Sequence, residues 1–204
     1  MRLYSREILP RLCDFALNTA RLAKYRRQLL THAAGDILEI GFGTGLNLPH
    51  YPQAIRTITA VEPNPGMLRL AQGRIRRSEI AVYAHVLSGE HLPFHDGQFD
   101  CAVSTFTLCS FGNISQGLRE IYRVIKPGGT FLFLEHGLSP DVSVQKWQRR
   151  LSGLQARLAG GCHLDRNMKA LIGAQPFASL HVEEFYLPAA LRTHGYIFLG
   201  KAQK

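Results

Sequence analysis

Residues 36–45 read Asp-Ile-Leu-Glu-Ile-Gly-Phe-Gly-Thr-Gly, a run with the composition of a ligand-binding turn. An apolar stretch carries the acidic Glu39, and Gly41, Gly43 and Gly45 follow at alternate positions, interleaved with Phe42 and Thr44. Glycine tolerates positive φ and lets a ligand lie against bare backbone, so a strand must break here into a tight loop. A dinucleotide fingerprint would put its third glycine at position 46, where this chain has Leu46. A pyrophosphate needs close approach at that glycine, whereas a ligand without phosphate is held by the shorter loop. A second acidic residue strengthens the pattern. The β-branched run 55–61 ends at Glu62, 17 residues after Gly45 and just before Pro63-Asn64-Pro65. In a doubly wound sheet the tip of the second strand lies beside the glycine loop, where a carboxylate can accept hydrogen bonds from both hydroxyls of a ribose. The alternative for Glu62 is a solvated residue opening a turn.

Other reactive side chains group less well. Cys13, Cys101, Cys109 and Cys162 form no C-x-x-C pair and are irregularly spaced, so they read as free thiols of a reducing compartment, with no disulfide frame or zinc site. His91 and His95 are four apart, but Pro93 between them opposes a helix that would present both to one metal. Asp141 and Asp165 make no carboxylate cluster of the kind magnesium needs. The expectation is an enzyme without a metal.

The elements that must position these residues alternate along the chain. Strands are expected near 36–40, 55–61, 80–86, 99–104 and 129–135, with helices near 65–77 and 115–125. The segment 119–130 reads as a helix end, a Pro-Gly-Gly stop and a strand start. A helix around 144–158 and closing strands at 179–186 and 196–201 complete the chain. Such alternation gives a parallel sheet with right-handed crossovers. Residues 5–31 read as one or two amphipathic helices, bent or restarted at Pro10. With 204 residues, 46% apolar and 19% charged, the chain suits one soluble domain over 1–204, divided into a helical cap (1–34) and a cofactor-binding core (35–204). No secretory leader or 18-residue apolar span is present, which points to a cytoplasmic protein.

Taken together, the glycine loop, Glu62, the loop Ser88-Gly89-Glu90-His91-Leu92-Pro93-Phe94 and the Pro-Gly-Gly segment resemble the class I S-adenosylmethionine-dependent methyltransferases. Gly45-Leu46-Asn47, Thr107-Leu108-Cys109-Ser110, Leu134-Glu135-His136 and the segment 161–166 narrow the resemblance. They are similar to the microsomal alkyl-thiol S-methyltransferases and their bacterial relatives, from about residue 36 to the C-terminus. The resemblance implies an α/β, doubly wound, Rossmann-like seven-stranded sheet whose last strand is antiparallel, under an N-terminal helical cap. It implies S-adenosylmethionine, released as S-adenosylhomocysteine, held by Glu39, Gly41, Phe42, Gly43, Thr44, Gly45, Asn47, Glu62, Pro63, Asn64, Ser88, Gly89, Glu90 and Thr105. The animal proteins of that branch carry a hydrophobic anchor where this chain has basic amphipathic helices.

The acceptor is then a small molecule, with a thiol as the leading class. Phospholipid amines, quinones and other metabolites are the enzymatic rivals, and a non-catalytic S-adenosylmethionine sensor is the rival of another class. A general base or cation beside the methyl group would belong over the ends of the fourth and fifth strands. His136 is the candidate base there, or else hydrogen-bonds its loop; His163 and Arg166 are a positive pair that could polarise or anchor the acceptor, or else pin the segment after the long helix to the sheet; Cys109 is a wall of the pocket. The net charge of +9 falls partly at Arg21, Lys24, Arg26 and Arg27. That cluster reads as a solvated face or as a peripheral contact with anionic membrane. No aromatic-interleaved basic stripe or added RNA-binding module is present, which argues against nucleic acid.

Overall fold

The computed structural model describes residues 3–204, so residues 1 and 2 of the expected cap lie outside the described residues. Seven strands form one sheet: β1 (Ile37–Ile40), β2 (Thr57–Val61), β3 (Ala81–His85), β4 (Phe99–Thr105), β5 (Ile125–His136), β6 (Ser179–Tyr186) and β7 (Tyr196–Gln203). Their order is β3-β2-β1-β4-β5-β7-β6. The first five pair in parallel, and β7 runs antiparallel between β5 and β6, as expected. The strand order reverses between β1 and β4, and in such sheets the crevice at the carboxyl ends of those strands is where ligands bind.

One expectation needs correcting. The Pro-Gly-Gly segment is no clean stop, because β5 already starts at Ile125, which pairs with Phe99. The register then slips before Cys101 pairs with Thr130, leaving Lys126 to Gly129 as a bulge. The C-terminus closes over it: the Gly128 N–H donates to the Lys204 carbonyl at 2.8 Å. A bulge bends an edge without ending the strand.

Helices cover both faces of the sheet. On one, Leu118, Ile121 and Val124 of α4 (Ile114–Val124) pack with Phe131 and Phe133, joined by Met168 and Ile172 of the unforeseen α6 (Met168–Gly173). On the other, Leu68 and Ala71 of α3 (Pro65–Arg77) share a cluster with Leu29, Leu30, Ile58 and Leu132. The N-terminal segment comprises a π-helical turn (Tyr4–Ile8), α1 (Leu9–Leu17) with Pro10 in its first turn, and α2 (Ala20–Leu30). Thr19 caps α2 by accepting from the Leu22 N–H. Leu22, Leu29 and Leu30 are buried, so α2 belongs to the core. By contrast, α1 exposes Leu12 and Phe15. The remaining long helix is α5 (Val142–Leu158).

Candidate functional site

The glycine loop folds back onto β2. The N–H groups of Gly41 and Phe42 both donate to the Val61 carbonyl, at 2.8 and 3.1 Å. Gly41 adopts φ +71°, and a Cβ there would collide with the Thr107 side chain at 1.9 Å, so only glycine lets β4 approach this turn. Gly43, at φ +57°, differs: a Cβ would meet only the Gly41 carbonyl, at 3.8 Å. Its Cα faces open space.

That space is a cavity of about 240 Å³ over the switch point. Glu62 forms one wall. Its Oε2 accepts the Gly43 N–H at 2.9 Å and its Oε1 the Asn64 N–H at 2.8 Å, which fixes the carboxylate while leaving lone pairs on both oxygens. Burial raises its pKa against the pull of those two N–H groups. Asn64 caps α3 through the Gly66 N–H, and its own amide donates to the Ser5 carbonyl. On the far side Ser88, Gly89 and Glu90 line the cavity, and Glu90 ties its loop to α4 by accepting the Asn113 N–H.

A buried polar relay closes the third side. Glu39 accepts from the Tyr51 hydroxyl at 2.7 Å and from the Asn47 amide at 2.9 Å, and burial pushes its pKa to about 7. The Arg26 Nη1 donates to Asn47 Oδ1 and Thr105 Oγ1, both at 2.8 Å. Arg26 is 3% exposed, its guanidinium lies 5.6 Å from the Phe106 ring centre, and its Nε has no hydrogen-bond partner. This corrects the sequence reading, which set Arg26 on a solvated basic face. A signal was available: Leu22, Arg26, Leu29 and Leu30 fall on one helical stripe. Thr44 lines the cavity, but its hydroxyl donates to Asp14, which also pairs with Arg74. Its side chain therefore clamps the loop to α1 and α3.

The acceptor-side candidates fall differently from expectation. Cys109 does not line the cavity; Ser110 does, and the Cys109 sulfur lies 3.6 Å from the Ser110 hydroxyl. Arg166 donates to the Leu108 and Phe111 carbonyls, and His163 sits near Ser152 and Asp165. Both are outside the cavity lining. They pin the segment after β4. His136, at the end of β5, is also outside the lining. Its Nε2 lies 3.2 Å from the Cys162 sulfur, and its Nδ1 is buried without a partner. Sequence reasoning missed Glu135, fully buried, which accepts from the Ser104 hydroxyl and the N–H groups of Thr107 and Leu108. It holds the loop in which Phe106 takes φ +54°, a strained value for a bulky residue.

The parts match a nucleoside ligand with a charged amino-acid end: a carboxylate for a ribose, bare backbone at Gly43, and a buried cation beside the loop. The chain belongs to the S-adenosylmethionine-dependent methyltransferases. Residues 38–133 match the methyltransferase domain family. The chain is similar to human thiol S-methyltransferase TMT1A, 31% identical over 207 residues that cover 96% of this chain and 78% of that protein. Rat thiol S-methyltransferase TMT1B is 33% identical over 175 residues, covering 82% of this chain and 70% of the relative. Among solved structures, a Thermotoga maritima SAM-dependent methyltransferase, described as a possible histamine N-methyltransferase, superposes with a TM-score of 0.65 at 19% identity. It covers 95% of this chain and 94% of its own, a likeness of fold.

Proposed function

We propose that this methyltransferase acts on small thiols, forming the methyl thioether. The observation that carries this reading is the likeness to thiol S-methyltransferases across nearly the whole chain, acceptor-side segments included. When bound, S-adenosylmethionine supplies a methyl group already activated on a sulfonium. The protein's work is then orientation, which supplies up to roughly 7–11 kcal/mol of barrier lowering. In this reading Glu62 takes the ribose hydroxyls, Gly43 lets the ligand approach the backbone, and Ser88, Gly89 and Glu90 border the base. Arg26, beside Asn47 and Thr105, takes the carboxylate of the amino-acid end. Leu9, Leu17, Phe106 and Phe111 line the same cavity and favour a lipophilic acceptor.

A thiol with pKa near 8.5 is only a few per cent thiolate at neutral pH, so kcat/KM should rise with pH as the acceptor ionises. The test is S-adenosylhomocysteine release over a panel of thiols, amines, phospholipids and quinones, with products identified by mass spectrometry. Turnover confined to thiols is the expected result. Methylation of nitrogen, oxygen or carbon with no thiol product would replace the acceptor class. Tight cofactor binding with no turnover on any acceptor would make the chain a sensor.

We also infer a peripheral contact with anionic membrane. Ile8, Leu12 and Phe15 are exposed at the N-terminus, and the Tyr4 hydroxyl donates to the Leu158 carbonyl of α5, beside exposed Leu154 and Leu158. Arg11, Arg21, Lys24 and Arg27 flank this apolar strip in sequence and are exposed. Among the described residues no helix is long and apolar enough to cross a membrane.

A further inference from the structure

Cys109, His136 and Cys162 come from three distant parts of the chain: the turn after β4, the end of β5, and the segment after α5. Their two sulfurs and one ring nitrogen lie within 4.8 Å of one another, and all three side chains are buried. The Cys162 sulfur to His136 Nε2 distance is 3.2 Å. In tetrahedral zinc, with Zn–S about 2.3 Å and Zn–N about 2.0–2.1 Å, neighbouring donors stand roughly 3.5–3.8 Å apart. Small side-chain rotations would seat an ion among these three. His136 Nε2 is the nitrogen turned toward the two sulfurs, so it is the atom that would ligate the ion.

The surroundings indicate an open site. Two cysteines and a histidine are the protein ligands of a catalytic type of zinc centre, which keeps its fourth position for substrate. None of the three lines the cavity, but residues next to them in the chain or in space do. Ser110, next to Cys109, lines the cavity, as do Ala159 and Gly160, just before Cys162. Phe106 stacks on His136, with ring centres 6.2 Å apart, and is itself a lining residue of the cavity. Cys13 is a further cysteine in the cavity lining.

We propose that Cys109, His136 and Cys162 bind a zinc ion whose fourth position, toward the cavity, takes the acceptor thiol as a thiolate. The inference rests on the thiol reading above. In the binding step the acceptor's S–H proton passes to solvent, a Zn–S bond forms, and a zinc-bound water leaves. Zinc does not change oxidation state. A zinc-bound thiol is deprotonated at neutral pH, which answers the scarcity of free thiolate. The thioether produced carries no charge on sulfur and is a poorer ligand, so product leaves. This reverses the sequence expectation of a metal-free enzyme, whose rate chelators would leave unchanged.

The test uses the full-length protein, stripped with a chelator and titrated with cobalt(II) in place of zinc, followed by absorption in the thiolate-to-cobalt charge-transfer region. The expected result is one cobalt per chain, a charge-transfer band absent from Cys162→Ser, and a change in that band when a small aliphatic thiol is added. Circular dichroism on the same samples checks folding. If the cysteine variant unfolds, the wild-type titration decides alone. A folded wild-type chain that takes up no cobalt overturns the site. Uptake with a band that thiols leave unchanged, or a band lost in Cys13→Ser, overturns the open position, since Cys13 would then close the shell. Thiol turnover is measured separately. Full turnover by metal-free enzyme overturns this inference and leaves the thiol reading standing, whereas metal uptake with turnover only on non-thiol acceptors overturns both the thiol reading and the role given to the metal.

Discussion

Arg26 on α2 reaches the Thr105 hydroxyl at the tip of β4, 2.8 Å away, so a helix preceding the sheet is keyed to the strand end that faces the cavity. Burial lowers the Arg26 pKa to about 10, against the pull of Glu39 and Glu135, so it remains a cation at neutral pH. A buried cation with a free Nε beside an otherwise satisfied relay is suited to an anionic ligand group.

Arg26→Met keeps much of the apolar stem and removes the charge. Hydrogen bonds to charged groups contribute about 1.5–3 kcal/mol each, so affinity for S-adenosylmethionine should fall roughly 10- to 100-fold. Calorimetry with 5′-methylthioadenosine, which lacks the amino-acid end, should show little change. Equal losses for both ligands would mean that Arg26 only braces the loop.

Glu62→Ala should behave in the opposite way. The ribose is common to both ligands, so each should bind about tenfold or more weakly. Circular dichroism should be unchanged, because the Gly43 and Asn64 N–H groups released by the substitution sit at a cavity wall that solvent can reach. Wild-type affinity in this variant would sink the ribose assignment.

Why was this half of the site readable and the other half not? The glycine loop, Glu62 and Asn64 lie close in sequence at the ends of adjacent strands, and backbone rules dictate their residue types. Strand alternation likewise anticipated the parallel part of the sheet, and the family resemblance anticipated antiparallel β7. Cys109, Glu135, His136 and Cys162 all stand in segments that carry the resemblance, but which of them meet depends on long-range packing, and no local period announces that. Arg26 lay between these cases. Its place on the Leu22, Leu29 and Leu30 stripe is legible, but its arginine neighbours drew it into a charge-run reading. The bulge in β5 was hidden because Pro-Gly-Gly ordinarily separates a helix from the strand after it, and here Lys204 pairs with the Gly128 N–H inside the strand.

Glu39 should leave a mark on stability against pH. Burial raises its pKa from 4.5 to about 7, so the folded state binds the proton more tightly than the unfolded chain. The stability this contributes is fully present below the ordinary carboxylate pKa and is lost as pH rises through about 7. Its full size is about 3 kcal/mol, because a tenfold change in proton affinity is worth about 1.4 kcal/mol. Urea melts of wild type and Glu39→Gln between pH 4 and 8 should converge at the acid end, with the variant flatter toward neutrality. Parallel curves would show that Glu39 ionises normally despite its burial.

Truncation should separate α1 from α2. The sequence reading sets residues 1–34 apart from the core as a helical cap, but Leu22, Leu29 and Leu30 are buried in the core. Losing each buried leucine costs about 2–5 kcal/mol, against a total stability of about 5–15 kcal/mol. A chain lacking residues 1–31 should therefore fail to fold cooperatively. Removing only residues 1–17 deletes Leu9, Cys13 and Leu17 from the cavity wall and keeps α2. That protein should melt cooperatively, bind cofactor, and lose most acceptor turnover; wild-type kcat/KM would show that α1 shapes nothing the acceptor feels.

The membrane contact is testable on the intact chain. Phe15 is 85% exposed and Leu12 52% exposed, and neither lines the cavity, so replacing both by serine should spare the fold. Inserting an exposed Phe or Leu into an apolar phase is worth about 1.5–3 kcal/mol. The double variant should therefore partition onto vesicles at least tenfold more weakly. Vesicles of phosphatidylserine and phosphatidylcholine should sediment the wild type, and salt should weaken this, since charges beyond about 10 Å are screened at 0.1 M. Neutral phosphatidylcholine vesicles should bind less. If wild type ignores both vesicle types at low salt, the exposed residues of α1 and their basic neighbours form a solvated face. If binding is equal on both vesicle types, the apolar strip alone carries the contact and the basic residues take no part.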